Sequence, residues 1–327
     1  MPAELVATHR PIEAVEAELQ ALAIDALELE TQARSARTEA EYAKDWAVFT
    51  AWCSSRGLEA LPASVSTVAL FATDQAKALK PSTVERRLTS INVRHGDAGH
   101  AAPGKDPRVR KLLKGIRRAS VESAAADGGK AKKQAAPILR DQLLAMLPSA
   151  RSDALADVRD RALLLVGFSG FFRRSELASI TVENITEIPG GVRIHLPVTK
   201  TSKDGAGQDR DIMAGSSTSC PVAALRRWLA AAGVEAGPVF RSVNRHGHIS
   251  SKAISDRSVD LVIRSRAEAA GIDDNVSGHS LRRGAATQAS TDGHAMLSIT
   301  RAGGWTDGSK AAASYIEAGK STGLQLL

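Results

Sequence analysis

Apolar residues recur at helical spacing along much of the chain, and the breaks in that recurrence divide it into segments. Tyr42, Trp46, Phe49 and Cys53 stand three or four positions apart and predict a helix over about 38–55, ended by Gly57. Their aromatic rings read as core. A second helix is expected at Ser66–Ala78. After Lys80-Pro81, the string Ser82-Thr83-Val84-Glu85 has the form of a capping box, and Val84, Leu88 and Ile91 form the stripe of the helix it opens. Asp106-Pro107 is an N-cap followed by proline at the first helical position, ahead of Val109, Leu112, Leu113 and Ile116. Residues 119–136 lose all hydrophobic periodicity and contain Gly-Gly, which predicts a linker, set at 126–135. Helices follow near 140–147 and 157–170, the second capped by Asp157. Residues 192–198 alternate as a strand, Thr199–Asp209 is polar, and Arg210–Met213 reads as a return strand, so a β-hairpin is expected. Helices dominate from Pro221 onward. Residues 1–35, rich in Ala, Leu and Glu, suggest a partly helical arm.

The length of 327 residues exceeds one small core and suits two domains. With 43% hydrophobic and 24% charged residues, the chain has the composition of a soluble globular protein. No apolar run approaches the length of a bilayer crossing, and the opening MPAELVATHRP lacks the core of a signal peptide. Cys53 and Cys220 form neither a metal-like spacing nor a disulfide framework, so a reducing, cytoplasmic location is expected.

Charge distribution changes the picture more than composition does. Residues 1–30 carry seven acids against one base, whereas residues 80–140 carry fifteen Lys or Arg against five acids, within a net charge of +7. So concentrated a positive field attracts polyanions, of which DNA is the common one. A solvated surface or an anionic membrane would also accept it, but the charge sits on amphipathic segments and no lipid anchor accompanies it. Lys80 precedes the third expected helix, and Arg86, Arg87 and Arg94 lie off its apolar stripe. The fourth presents Arg108, Arg110, Lys111, Lys114, Arg117 and Arg118 off its own, an arrangement suited to phosphates or the major groove. In the linker, Lys130, Lys132 and Lys133 either track a DNA backbone or are simply solvated.

The second half holds four islands with chemical potential: Phe171-Phe172-Arg173-Arg174-Ser175-Glu176-Leu177; Val198-Thr199-Lys200-Thr201-Ser202-Lys203; Ser277-Gly278-His279-Ser280-Leu281-Arg282-Arg283-Gly284; and Ala302-Gly303-Gly304-Trp305-Thr306, with Tyr315 ten residues on. His279 and Arg282, three apart on a helix, share a face and can grip one anion. Guanidiniums match phosphate oxygens, and two converging ones can neutralise a pentacoordinate phosphorane. A tyrosine hydroxyl can attack phosphorus and store the bond energy as phosphotyrosine, and a hairpin lysine can protonate the departing 5′ oxygen. None of this needs a metal or another cofactor, and no acidic pair or His/Cys cluster reads as a metal site. Each island alone has an ordinary explanation: a surface ion pair, a solvated lysine, a structural histidine, a packed tyrosine. Their order and coincidence argue otherwise.

Those strings resemble the tyrosine recombinase family, whose signature is Arg…Lys…His-x-x-Arg…His/Trp…Tyr in this order. The resemblance runs over roughly residues 38–327 and leaves out the acidic arm. It implies a mostly α, two-domain C-shaped clamp. An acidic arm (1–36) precedes an all-α core-binding domain (37–125), the linker (126–135) and a mainly helical catalytic domain with a small antiparallel β-sheet (136–327). It implies Tyr315 as nucleophile, Arg173 and Arg282 as the phosphate clamp, His279 as donor to phosphate or handler of the tyrosine proton, and Trp305 as a packing and indole hydrogen-bonding group. Lys200 is the implied general acid, with Lys203 the competing candidate, and Glu176 supports the site from behind. The spacing from Trp305 to Tyr315 is one residue longer than the family pattern. Arg241 and Arg257 join the candidate DNA contacts; Arg257, at the start of an expected Ser255–Ala270 helix, resembles a major-groove guanine reader, and Arg86 and Arg87 are the other candidates. The implied partners are duplex DNA with inverted repeats and, through the apolar tail at 321–327, neighbouring protomers of a DNA-bound tetramer; a tail folded on its own domain is the alternative. A type IB topoisomerase and a non-catalytic DNA-binding protein are the rival functions.

Overall fold

A computed structural model describes residues 34–126, 135–150, 154–197, 207–215, 218–272 and 274–318, with a few positions between 16 and 25. Its contacts divide the chain into two units, Met1–Ala131 and Lys132–Leu327. The fold is mostly helical with two small antiparallel sheets. Among the described residues no helix is long and apolar enough to cross a membrane.

The first unit contains α1 (Ala36–Ser54), α2 (Val65–Ala76), α3 (Pro81–Asp97) and α4 (Pro107–Ala126). Ser35 caps α1 and Ser64 caps α2, each accepting a hydrogen bond from a backbone N–H three residues on. Phe49, Cys53, Val68, Phe71, Val84, Leu88, Ile91 and Val109 form the core, with Trp46 and Trp52 packed against it. Each large side chain fully buried there stabilises the unit by about 1.5–3 kcal/mol. Tyr42 is only half-buried, at the edge.

Two details of this unit differ from the sequence reading. Helix α3 begins at Pro81, with Lys80 in extended geometry before it, so Ser82 does not act as the cap. Proline's fixed φ and missing N–H suit the first helical position and displace the capping box. Glu85 instead pairs with Arg117 at 2.6 Å. Helix α4 also continues through Ala119–Ala126, into the stretch read as linker. Alanine, glutamate and serine sustain a helix on propensity alone, without an apolar stripe to announce it. The rest of the expected linker, with Lys130, Lys132 and Lys133, lies outside the described residues.

The second unit begins with α5 (Arg140–Met146), α6 (Leu155–Ser169) and α7 (Arg174–Ser179). The cap position of α6 is Ala154, and Asp157 lies inside its first turn, where it takes a 2.5 Å bond from Arg266 rather than capping. Strands β1 (Ile185–Ile188), β2 (Gly191–Leu196) and β3 (Gln208–Met213) form one antiparallel sheet in that order, with Ile194 opposite Arg210. Helix α8 (Pro221–Ala232) leads to a second hairpin, β4 (Arg241–Val243) with β5 (Ile249–Ala253). Neither β1 nor this hairpin was expected. The last helices are α9 (Asp256–Ala269), α10 (Ser280–Thr291), α11 (Met296–Gly303) and α12 (Lys310–Ala318). The main core joins α6, α8, α9 and β2 around Trp228, Leu163, Leu164, Phe172 and Phe240, and a smaller cluster of Ala286, Ile299, Ala312 and Ile316 joins α10, α11 and α12.

Helix α10 crosses the centre of this unit, and Gly284 lets it do so. A Cβ there would lie 1.7 Å from the Ile138 carbonyl oxygen, a backbone atom with nowhere to go. Gly284→Ala should therefore destabilise the protein by about 3 kcal/mol or more, as overpacking against fixed neighbours does. Urea unfolding measures this; an unchanged midpoint would mean that the approach of α10 to Ile138 is looser than described.

Candidate active site

The N-terminal end of α7, the first turn of α10 and the turn after α11 converge. Arg173 holds the cap position of α7, and Glu176 folds back to accept its backbone N–H at 2.8 Å and its guanidinium as well. Glu176 is 6% exposed and lies 3.7 Å from Arg282 Nη1. Arg282, in the first turn of α10, is 3% exposed. Its Nη1 donates to the Phe171 carbonyl at 2.6 Å, while its Nη2 finds no hydrogen-bond partner among the described residues. Phe171 is the one non-glycine residue with positive φ (+53°) among those described. That conformation is costly for an L-residue and aims its carbonyl at Arg282.

Trp305 binds the arrangement together. The Arg282 guanidinium lies over its ring at 4.0 Å, a cation–π contact, and the edges of Phe171 and Tyr315 meet it at centroid distances of 6.2 and 6.1 Å. Tyr315 is half-buried on α12, with the Arg283 guanidinium 5.4 Å above its ring. Hydroxyls of α10 fix this segment: Thr287 donates to the Tyr315 carbonyl at 3.0 Å and Ser290 to that of Ile316 at 2.7 Å. His279 occupies the cap position of α10. The turn before it is held by Asp260 of α9, which accepts the Gly278 N–H at 2.5 Å, and by Arg174, whose chain fills the space a Cβ on Gly278 would need.

Electrostatically the site is positive beyond what it neutralises internally. Burial first, and then the Arg173 charge, pull the Arg282 guanidinium well below its ordinary range, to about 9, still protonated at neutral pH. Burial, with Arg174, Arg282 and Arg173, holds the His279 imidazole below its usual value, so it is neutral near pH 7. Arg210 on β3, 2% exposed, is also lowered by burial and by Arg173, with Glu176 opposing. Three guanidiniums thus act around one buried carboxylate, Glu176, with exposed Asp209 adding a weaker pull on Arg210, a balance that favours an incoming anion.

Of the residues singled out from the sequence, Arg173, Glu176, His279, Arg282, Trp305 and Tyr315 are brought to this region, while Lys200 and Lys203 lie outside the described residues. Arg210 was missed, although alternation along β3 places it on the face of Ile212, the inward one. Among the described residues no group of three His, Cys, Asp or Glu side chains is placed to hold a metal ion.

The candidate DNA contacts sort into two groups. Lys80, Lys111, Lys114 and Arg257 are exposed and make no ion pair among the described residues. Others are engaged within their own unit: Arg86 with Glu41 at 2.8 Å and buried Asp45 at 3.1 Å, Arg87 with Gln75, Arg94 with Glu39 at 2.7 Å, Arg117 with Glu85, and Arg118 with Glu122 at 2.8 Å. Arg241 donates to the carbonyls of Pro238 and Ala236 at 2.9 and 2.5 Å.

The model of the phage integrase family matches residues 138–321, a span that holds every residue placed at the candidate active site. The chain belongs to the phage integrase family. This integrase is thus a tyrosine recombinase, as its motifs implied. It is 37% identical over 265 residues to the integrase/recombinase xerD homolog of Selenomonas ruminantium, across 80% of this chain and 75% of that one. It is 28% identical to the recombinase cre of Escherichia phage P1, across 81% and 78%. A solved lambda integrase dimer bound to a COC′ core site shares the integrase fold at a TM-score of 0.53 and 13% identity, covering 98% of this chain and 85% of that one. XerH recombinase bound to a palindromic difH substrate aligns at 0.52 and 16%, covering 77% and 68%.

Proposed function

We propose that this integrase exchanges strands between two inverted-repeat DNA sites through a 3′-phosphotyrosyl intermediate at Tyr315, within a DNA-bound tetramer. The observation that carries the reading is the buried Arg282. Its guanidinium stacks on Trp305, lies near Glu176 and Tyr315, and keeps Nη2 free for an acceptor. With Arg173 it forms the clamp for the scissile phosphate. The Tyr315 oxygen attacks phosphorus, its proton passing to neutral His279 or to solvent. The P–O5′ bond breaks as the new P–O bond to tyrosine forms, and the departing 5′ oxygen takes a proton, for which Lys200 is the proposed donor. A 5′ hydroxyl from the partner duplex reverses the step, and the phosphotyrosine keeps the bond energy, so no ATP is consumed. Glu176 orients Arg173 and tempers the charge between the guanidiniums.

The direct test offers nicked duplexes built on any inverted repeats found in the DNA flanking the gene. A protein–DNA adduct that survives denaturation, with strand exchange between two such duplexes, supports the reading. On a supercoiled plasmid carrying the same repeats, relaxation without exchange indicates a topoisomerase instead.

DNA binding on the first unit is proposed to run through the unpaired lysines of α4. Its affinity should fall by roughly a thousandfold between low and moderate salt, as many phosphate contacts require. Lys111→Ala and Lys114→Ala should each reduce the salt slope by about 1, across unrelated sequences alike. Titrations at several salt concentrations read this; a slope unchanged in both variants would move the interface off α4.

A further inference from the structure

Arg210 has no part in the steps above, yet it is a cation buried to 2% exposure, where an apolar side chain of similar size would be easier to accommodate. Its contacts explain it. Nη2 donates to the Gly303 carbonyl at 3.0 Å and to Gln208 Oε1 at 2.9 Å, and Nη1 donates to the Asp209 carbonyl at 3.1 Å. Gly303 is the last residue of α11, and Gly304 follows it in the left-handed conformation (φ +61°). The last carbonyls of a helix lack partners within it and carry its negative end, so a guanidinium there is a cap. This one comes from a strand 93 positions away in sequence.

The two glycines show how tightly the turn is built. A Cβ on Gly304 would stand 2.1 Å from Arg210 Nη2, and one on Gly303 would stand 1.7 Å from the Trp305 ring. The Gly-Gly-Trp string leaves room for a guanidinium on one side and an indole on the other. Trp305, the next residue, is the platform on which Arg282 lies at 4.0 Å.

We infer that Arg210 is a positioning residue: by capping α11 through the Gly303 carbonyl, it fixes the turn that presents Trp305, and through Trp305 the plane of Arg282. The catalytic part of this inference rests on the proposed role of Arg282 at the phosphate; the structural part does not. Glutamine or asparagine could accept or donate one bond at this place, but the planar fork reaches Gly303, Gln208 and Asp209 together, which a lysine cannot reproduce.

The test uses the full chain labelled with 5-fluorotryptophan, whose four tryptophans give four ¹⁹F resonances; Trp305→Phe identifies the Trp305 line. In Arg210→Lys the Trp305 line should shift or broaden while those of Trp46, Trp52 and Trp228 stay in place. Gly304→Ala, which sets a methyl where the guanidinium stands, should move the same line, and it serves if the lysine variant does not fold. On nicked duplex at saturating protein, Arg210→Lys should slow adduct formation by roughly 10- to 100-fold with affinity changed less than about twofold, the cost of a small misplacement at a reacting centre. Added to Trp305→Phe, it should slow the reaction no further. An unmoved Trp305 line in folded Arg210→Lys overturns the inference, because the turn then holds itself. So does a joint shift of Trp305 and Trp228, which would make Arg210 a support of the whole core. If wild type forms no adduct and the Trp305 line still moves alone, the positioning stands and the cleavage reading falls.

Discussion

Tyr315→Phe should bind its DNA as wild type does and form no covalent adduct, a loss of roughly 10⁴-fold or more in cleavage, as removal of a nucleophile produces. The change is confined to one oxygen. The phenyl ring keeps its edge contact with Trp305 and its place beneath Arg283, and the bonds from Thr287 and Ser290 go to backbone carbonyls that substitution leaves alone. Stability should change by less than about 1 kcal/mol. Denaturing gels read the adduct, and mobility shifts of the same mixtures read binding. An adduct in the phenylalanine variant would place the nucleophile elsewhere. The other tyrosine, Tyr42, belongs to α1 in the first unit, half-buried among its helices.

The second large effect separates activity from stability. Arg282→Met should reduce cleavage at saturating DNA by about 10²–10³-fold, the loss expected for one preorganised donor at developing charge. The same substitution should leave the urea midpoint unchanged or raise it. Arg282 is buried, repelled by Arg173, and returns one good hydrogen bond to the fold, at Phe171. Methionine fills a similar volume and can still lie on the Trp305 ring. Glu176 keeps its bonds to Arg173. Loss of both activity and stability would show that Arg282 holds the fold, and that its place in the site is secondary.

What the sequence disclosed, and what it hid, follow from the range of the forces involved. The helices were legible because burial imposes a period on their apolar residues; α2 and α9 lie within a residue or two of their expected limits. The strings that meet at the candidate site were legible because each is local. Short strands gave less: β4 spans Arg241–Val243, too few residues for alternation to be seen. Arg241 therefore looked like a free base, whereas its guanidinium bonds to the carbonyls of its own hairpin approach. Asp45 and Glu41 were similarly silent, and only the packing of α1 on α3 shows that they hold Arg86. Arg210 was hidden for the same reason, since its partner Gly303 lies far along the chain.

The backbone at Phe171 has a consequence for anyone wishing to harden this protein against heat. A glycine there would relieve about 1 kcal/mol of torsional cost, but the Phe171 side chain packs against the cluster of Ala286, Ile299, Ala312 and Ile316, and giving up that packing costs about 1.5–3 kcal/mol, more than the strain returns. It would also remove the ring that meets Trp305 and loosen the carbonyl that Arg282 grips. Strain at Phe171 is therefore no reserve to be drawn on, and gains in thermostability are to be sought at positions away from this turn.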